Sequence, residues 1–176
     1  MVTISLGLLK ENNISFSPSL STTKQRAIQR LGWGCINKIA LEFEAPFWSV
    51  DSDFIWYTSS RDGYYPAAIN WAKYVPGRYI RTLVANAITP LNRALLIFMT
   101  IGDFAIEMEH KADKQIVQEL MAILSTIYPN ASQPINYLIT RWHSDPFAKG
   151  TDQSPFVTPL GPLRRSFLQV HIPALR

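Results

Sequence analysis

Apolar and polar positions recur in short blocks along this chain, and each block predicts one element. From Cys35 to Phe43 the period is two. Ile39, Leu41 and Phe43 share one side with Asn37, while Ile36, Lys38, Ala40 and Glu42 share the other, which predicts a strand. "DFIWYTSS" and "GRYIRTLVAN" read as further strands and "INYLITRW" as the last. "RALLIFMT" is continuously apolar, the pattern of a strand buried on both faces. Val2 to Leu9 also reads as a strand. Helical spacing alternates with these blocks. Thr22 or Thr23 is placed to N-cap "KQRAIQRL", with Ile28 and Leu31 on one side and Gly32 and Gly34 at its end. Gly102 and Asp103 turn the chain into a helix around Phe104 to His110. Asp113 is placed to cap the longest helix, "KQIVQELMAILSTIY". Its apolar stripe is Ile116, Leu120, Ile123, Leu124 and Ile127, and Pro129 stops it.

The resulting order, β-α-β-β-β-β-α-α-β, mixes runs of strands with helices. It predicts an α+β fold, a mixed sheet with flanking helices, rather than a doubly wound one. Residues 1–150 read as one region. After Gly150 the stretch "TDQSPFVTPLGPLRR" has no period, so residues 151–176 read as an irregular or disordered tail.

Composition narrows the class. The 176 residues are 47% apolar and 17% charged, which is globular rather than disordered. The net charge of +4 is spread out, with only short basic pairs such as Arg164-Arg165, so no direct nucleic-acid partner is expected. Cys35 is the only cysteine, which excludes an internal disulfide. "MVTISLGLLKENN" lacks the basic start and long apolar core of a signal peptide. The run "ALLIFMTIG" is too short to span a bilayer. The chain reads as soluble, with no membrane partner.

Candidate chemistry is sparse. His110 has Glu107 and Glu109 nearby and His143 has Asp145, but neither set offers three metal ligands at helical or hairpin spacing. There is no G-x-S-x-G elbow, no marked partner for Cys35, and no G-x-G-x-x-G phosphate fingerprint after Gly32. Lys38 is what remains. One reading is a solvent-facing lysine on a half-exposed sheet. The other is an ammonium aimed into a site floored by the sheet, where desolvation lowers its pKa and lets it exchange protons near neutrality. "RWHSDPFAKG", from Arg141 to Gly150, is open in the same way. Trp142 is a core residue before an ordinary turn, or an aromatic wall against a flat ligand.

Four segments in this order, "TISLGLLK", "LGWGCINKIALEFEAPFW", "GDFAIEME" and "TRWHSDPFAKG", resemble the flavin-dependent amine oxidase family, above all polyamine oxidases and lysine-specific histone demethylases. That family shows a strand ending in P-L-G-V-L-K, a helix, a G-F-G-x-x-N-K strand closed by F-W, a G-D/E-x-A helix start, and S-R-W-x-x-D-P-x-x-x-G-S-Y. The resemblance runs from about Val2 to Gly150 and is weak between Trp48 and Leu91. It implies the substrate-binding part of such an enzyme, without the dinucleotide-binding motif. Ser5 stands where the family has proline, and Asp152 where it has a tyrosine of the amine-binding wall.

The resemblance implies FAD as cofactor and an amine, polyamine or methyl-lysine as substrate. A hydride passes from the carbon beside nitrogen to the flavin, the imine hydrolyses, and reoxidation yields hydrogen peroxide. Lys38 takes the position of the catalytic lysine that reaches the flavin through a water. Trp142 and Phe147 take the positions of aromatic residues near the ring, and Thr3 and Ile4 those of the strand passing it. The alternative is a truncated, non-catalytic remnant acting as an interaction module. The edges of an isolated Val2 to Leu9 strand would lie unpaired, which predicts self-association.

Overall fold

Residues 36–43 alternate as a strand requires, and they form the centre of the fold. The structure, a computed structural model, describes residues 3–74, 80–81, 88–89 and 94–151. In chain order its elements are α1 (Leu6–Lys10), α2 (Thr22–Arg30), β1 (Ile36–Phe43), β2 (Phe54–Trp56), β3 (Ala67–Asn70) and α3 (Trp71–Tyr74). There follow β4 (Ile80–Arg81), β5 (Ile88–Thr89), β6 (Ala94–Ile101), α4 (Asp103–Met108), α5 (Asp113–Ile127) and β7 (Asn136–Ile139). The chain divides into two compact units, Met1–Cys35 with Trp142–Arg176, and Ile36–Arg141. They are called the helical unit and the sheet unit below.

The sheet unit holds a five-stranded sheet in the order β2-β3-β6-β1-β7. Every pairing in it is antiparallel, so the expected mixed sheet with flanking helices takes a wholly antiparallel form. β1 pairs with β6 in the register Lys38 to Met99 and Phe43 to Ala94. Its alternation is as expected: Asn37, Ile39, Leu41 and Phe43 are buried, and Lys38 is exposed. On the buried face Ile39, Leu41, Leu96 and Phe98 pack in one core with Phe104 and Met108 of α4 and Ile116, Leu120 and Leu124 of α5. Met121 joins this stripe, whereas Ile127 is left 37% exposed. Asn70, fully buried, accepts a hydrogen bond from the Trp48 indole at 2.9 Å. It thereby anchors the aromatic end of "LEFEAPFW", where Phe43, Phe47 and Trp48 meet edge to face.

Several expectations are corrected. β6 is buried on one face only: Leu95, Ile97 and Met99 stay half-buried on the other, because the described helices α4 and α5 contribute to the core on the opposite side. β3 and α3 carry no period long enough to be read. Asp113 does not cap α5. The N-cap is Ala112, without a side-chain bond, and Asp113 instead pairs with Arg141 at 2.6 Å. "GRYIRTLVAN" is described only at β4, and the remainder, with the tail from residue 152, lies outside the described residues.

The helical unit contradicts the strand expected over Val2 to Leu9. Its described part turns at Ser5 into α1, because Ser5 Oγ accepts from the Leu8 amide at 3.3 Å as an N-cap and Leu6, Leu8, Leu9 and Lys10 are strong helix formers. A capped helix therefore replaces the unpaired strand edge on which self-association was argued. α2 starts earlier than expected, with Ser21 as its cap rather than Thr22 or Thr23. Leu6, Ile28 and Leu31 form the small core between the two helices.

Candidate functional site

In the sheet unit, Lys38 stands on the face opposite the core. Residues directly paired across an antiparallel sheet share a face, so its neighbours follow from the register. They are Ile36, Ala40 and Glu42 on its own strand, Leu95, Ile97 and Met99 on β6, and Leu138 on β7. Apart from Glu42 these are apolar and half-buried. Ile69 continues the face on β3, and Phe54 and Trp56 on β2 end it with rings 5.5 Å apart. Trp56 is 71% exposed.

The residues around Lys38 are more constrained than its own exposure suggests. Its neighbour Asn37 is fully buried. The Asn37 amide nitrogen donates to the Ala105 carbonyl at 3.1 Å and to Glu109 Oε1 at 2.7 Å. Its Oδ1 accepts from the Thr140 hydroxyl at 3.0 Å. The Lys38 amide donates in turn to Thr140 Oγ1 at 2.9 Å, and the Thr140 amide donates to the Lys38 carbonyl at 3.0 Å. Arg141 follows. Its Nε donates to the Glu109 carbonyl at 3.2 Å and its Nη2 to the Lys111 carbonyl at 3.1 Å, beside the pair with Asp113. One guanidinium thus ties the end of β7 to the turn between α4 and α5. Sequence reading missed Asn37, Thr140 and Arg141 as a group. The available signal was a polar residue on the inward side of the strand, Asn37, within a motif otherwise read for Lys38.

The same unit holds a second polar cluster on its core side. The buried Tyr65 hydroxyl donates to Glu119 Oε2 at 3.2 Å, and Lys111 Nζ donates to Glu119 Oε1 at 2.7 Å. Burial first, then the charge of Glu119 and the hydrogen bond to it, push the Tyr65 phenol well above its ordinary range. Arg61 stacks 4.6 Å from the Phe104 ring centroid.

The helical unit holds the other candidates: Thr3, Ile4, Trp142 and Phe147. Thr3 is exposed and Ile4 half-buried. Ser5, next in sequence, donates from Oγ to the Ala148 carbonyl at 2.8 Å. That bond brings the Thr3–Ile4 segment to the loop that carries Trp142 and Phe147. The loop is a closed turn: Asp145 Oδ1 accepts from the Phe147 and Ala148 amides at 2.8 and 2.9 Å, and the Gly150 amide donates to the Trp142 carbonyl at 2.8 Å. Trp33 holds its far end, donating from Nε1 to the Lys149 carbonyl at 2.5 Å. Two glycines make this approach possible. A Cβ on Gly7 would lie 2.5 Å from the Lys149 carbonyl oxygen and 2.8 Å from that of Ala148; one on Gly150, at φ +120°, would run into the Trp33 indole nitrogen. Trp142 is 40% exposed and Phe147 82%, so neither is a core residue of this unit. Among the described residues no three His, Cys, Asp or Glu side chains gather as a metal site.

The family model for flavin containing amine oxidoreductase matches residues 1–175, so the likeness continues beyond Gly150 into the stretch where sequence reading found no motif. Polyamine oxidase 1 of Zea mays is 33% identical over 180 residues, covering 100% of this chain and 32% of the relative. Polyamine oxidase 4 of Oryza sativa subsp. japonica is 33% identical over 86% of this chain and 28% of its own length. Histone demethylase-like protein A of Aspergillus fumigatus is 34% identical over 85% of this chain and 14% of its own length. The chain therefore spans less than a third of these relatives. Among solved structures, wild-type putrescine oxidase bound to putrescine superposes with a TM-score of 0.61 at 17% identity, over 86% of this chain and 30% of that one, which shows a shared fold. With a family model matching almost its whole length and relatives at about a third identity, the chain belongs to the flavin containing amine oxidoreductase family.

Proposed function

We propose that this protein oxidises an amine with bound FAD, and that its substrate is a polyamine or a methylated lysine. The family match supports the first part, and the names of its relatives, polyamine oxidases and a histone demethylase-like protein, support the second. The residues described fit the ring end of FAD. Trp142 and Phe147 offer exposed rings, and the Ser5 bond sets Thr3 and Ile4 beside their loop. No glycine-rich loop opening a helix is present in the sequence to hold the phosphates. Bound there, FAD would supply the hydride acceptor for oxidation of the carbon beside a neutral amine.

The chain's own contributions are orientation and proton handling. Trp142 and Phe147 form a flat apolar wall, with Thr3 and Ile4 along its edge. Lys38 holds or moves a proton at Nζ. The observation that carries this reading is the placement of Lys38, an exposed ammonium on a face whose near neighbours Ala40, Ile97 and Met99 are apolar.

The test is anaerobic. The FAD-loaded protein is mixed with a polyamine or with a methyl-lysine peptide, and flavin absorbance is followed by stopped flow. One class of amine is expected to bleach the flavin. Lys38→Met is expected to slow flavin reduction or its reoxidation by oxygen about a hundredfold, at a stability cost within about 1 kcal/mol. A protein that holds FAD but is bleached by neither class overturns the substrate proposed here. Wild-type rates with a lowered melting temperature in Lys38→Met make the lysine structural.

A further inference from the structure

Lys38 is exposed, and an exposed lysine on a free strand end would be a poor acid–base group, since proton transfer needs a group held within hydrogen-bond reach of its target. In this structure its backbone is held by side chains. At the end of the β1–β7 ladder, where Ile39 pairs with Ile139, the Thr140 amide still donates to the Lys38 carbonyl. The reciprocal acceptor is different in kind: the Lys38 amide donates to the Thr140 hydroxyl, not to a main-chain carbonyl.

That hydroxyl has one proton. Its oxygen lies 3.0 Å from Asn37 Oδ1 and 3.3 Å from the Lys38 carbonyl. The shorter contact sends the proton to Asn37, leaving lone pairs on Oγ1 for the Lys38 amide. Asn37 cannot turn its amide round, because both its N–H groups are engaged by the Ala105 carbonyl and Glu109 Oε1. The direction of every bond in this chain of donors is therefore set from α4 outward to Lys38. Asn37 is fully buried, so a broken link at its side chain leaves a polar group poorly reached by water.

We propose that Asn37 and Thr140 are positioning residues: together they lock the backbone of Lys38, so that its side chain leaves the face opposite the core from one fixed point. The functional consequence rests on the proton-handling role proposed for Lys38; the lock itself does not.

The experiment uses the full chain loaded with FAD and has two arms. Thr140→Val keeps the shape and removes the acceptor, and Thr140→Ser restores it. In the first arm, hydrogen–deuterium exchange is resolved at the Lys38 amide by electron-transfer fragmentation. Thr140→Val is expected to speed exchange there about tenfold, the worth of one hydrogen bond, and Thr140→Ser to return it to wild type. In the second arm, flavin reduction by the amine is measured anaerobically. Thr140→Val is expected to slow the limiting rate about tenfold with amine binding unchanged, as for a group displaced from its reach, and Thr140→Ser to recover it.

Unchanged exchange at Lys38 in Thr140→Val overturns the lock, whatever the kinetics. Faster exchange with an unchanged reduction rate, in a protein where Lys38→Met is slow, overturns the positioning role and leaves the lysine's own role standing. If Lys38→Met is itself as fast as wild type, the proton-handling reading fails, and the exchange arm still decides the lock. Should Thr140→Val not fold, Asn37→Ser, which shortens the same chain of bonds, takes its place in both arms.

Discussion

The two units are held together by different physics. Among the described residues, the core of the sheet unit has sixteen buried side chains in one cluster, from Ile39 to Leu124; that of the helical unit has three, Leu6, Ile28 and Leu31. Burial of a single large aliphatic side chain stabilises by about 1.5–3 kcal/mol, so the described part of the sheet unit has ample apolar area and that of the helical unit little. The helical unit compensates with close approach and hydrogen bonds: Ser5 to Ala148, Trp33 to Lys149, and two glycines that let those carbonyls come near. A small core with directed polar contacts leaves aromatic rings free to face a ligand. The sheet unit instead carries Lys38 on the face opposite its large core.

That contrast can be broken most sharply through the large core. Leu120 is fully buried on α5, and Leu120→Ala should destabilise the sheet unit by about 3 kcal/mol through lost transfer energy and a cavity. Thermal or urea unfolding measures it. A loss below about 1 kcal/mol would mean that this core repacks freely and is less specific than its burial indicates.

Gly150→Ala attacks the helical unit by another route. The added methyl meets the Trp33 indole nitrogen and lies 2.7 Å from the Gly34 carbonyl oxygen, at a φ of +120° that disfavours any side chain. The expected cost is about 2 kcal/mol. It should appear as faster amide exchange over residues 5–34 and 142–151, with protection of β1, β6 and α5 retained. Uniform loss of protection over both units would show that they unfold as one, and the comparison would collapse.

The smallest effect separates polar from apolar support within the sheet unit. Tyr65→Phe removes the hydrogen bond to Glu119 and should cost about 1 kcal/mol at neutral pH. The Tyr65 phenol is raised above its ordinary value of 10.0, so the native state keeps a proton that the unfolded chain gives up. Its stabilisation is complete below about pH 10 and is lost as pH rises further. The melting-temperature gap between wild type and Tyr65→Phe should therefore narrow between about pH 9.5 and 11. A constant gap would place the effect in packing rather than in the phenol.

Legibility in the sequence follows the same division. In the sheet unit the period of two over β1 and the stripe on α5 announced which residues are buried, because a large core selects apolar side chains at each inward position. β3 and α3 went unread: four residues each are too few to show a period. In the helical unit the apolar pattern misled. "TISLGLL" reads as a strand, and only the serine hydroxyl, capping α1 on one side and bonding Ala148 on the other, makes it a helix entry. Lys38, Trp142 and Phe147 were singled out from motifs, whereas Trp33 was noted only as part of a failed phosphate loop.

By itself the sequence determined the α+β class, the inward face of the central strand, and the family to which its motifs belong. These depend on local periodicity and on residue types at short spacing, which survive without a third dimension. The tertiary structure alone decided that Asn37 faces Thr140 across 103 positions of chain and that Ser5 meets Ala148 across 143. Hydrogen bonds between residues so far apart leave no period in the sequence. Their partners become visible only when the chain entropy of closing those loops has been met by packing elsewhere.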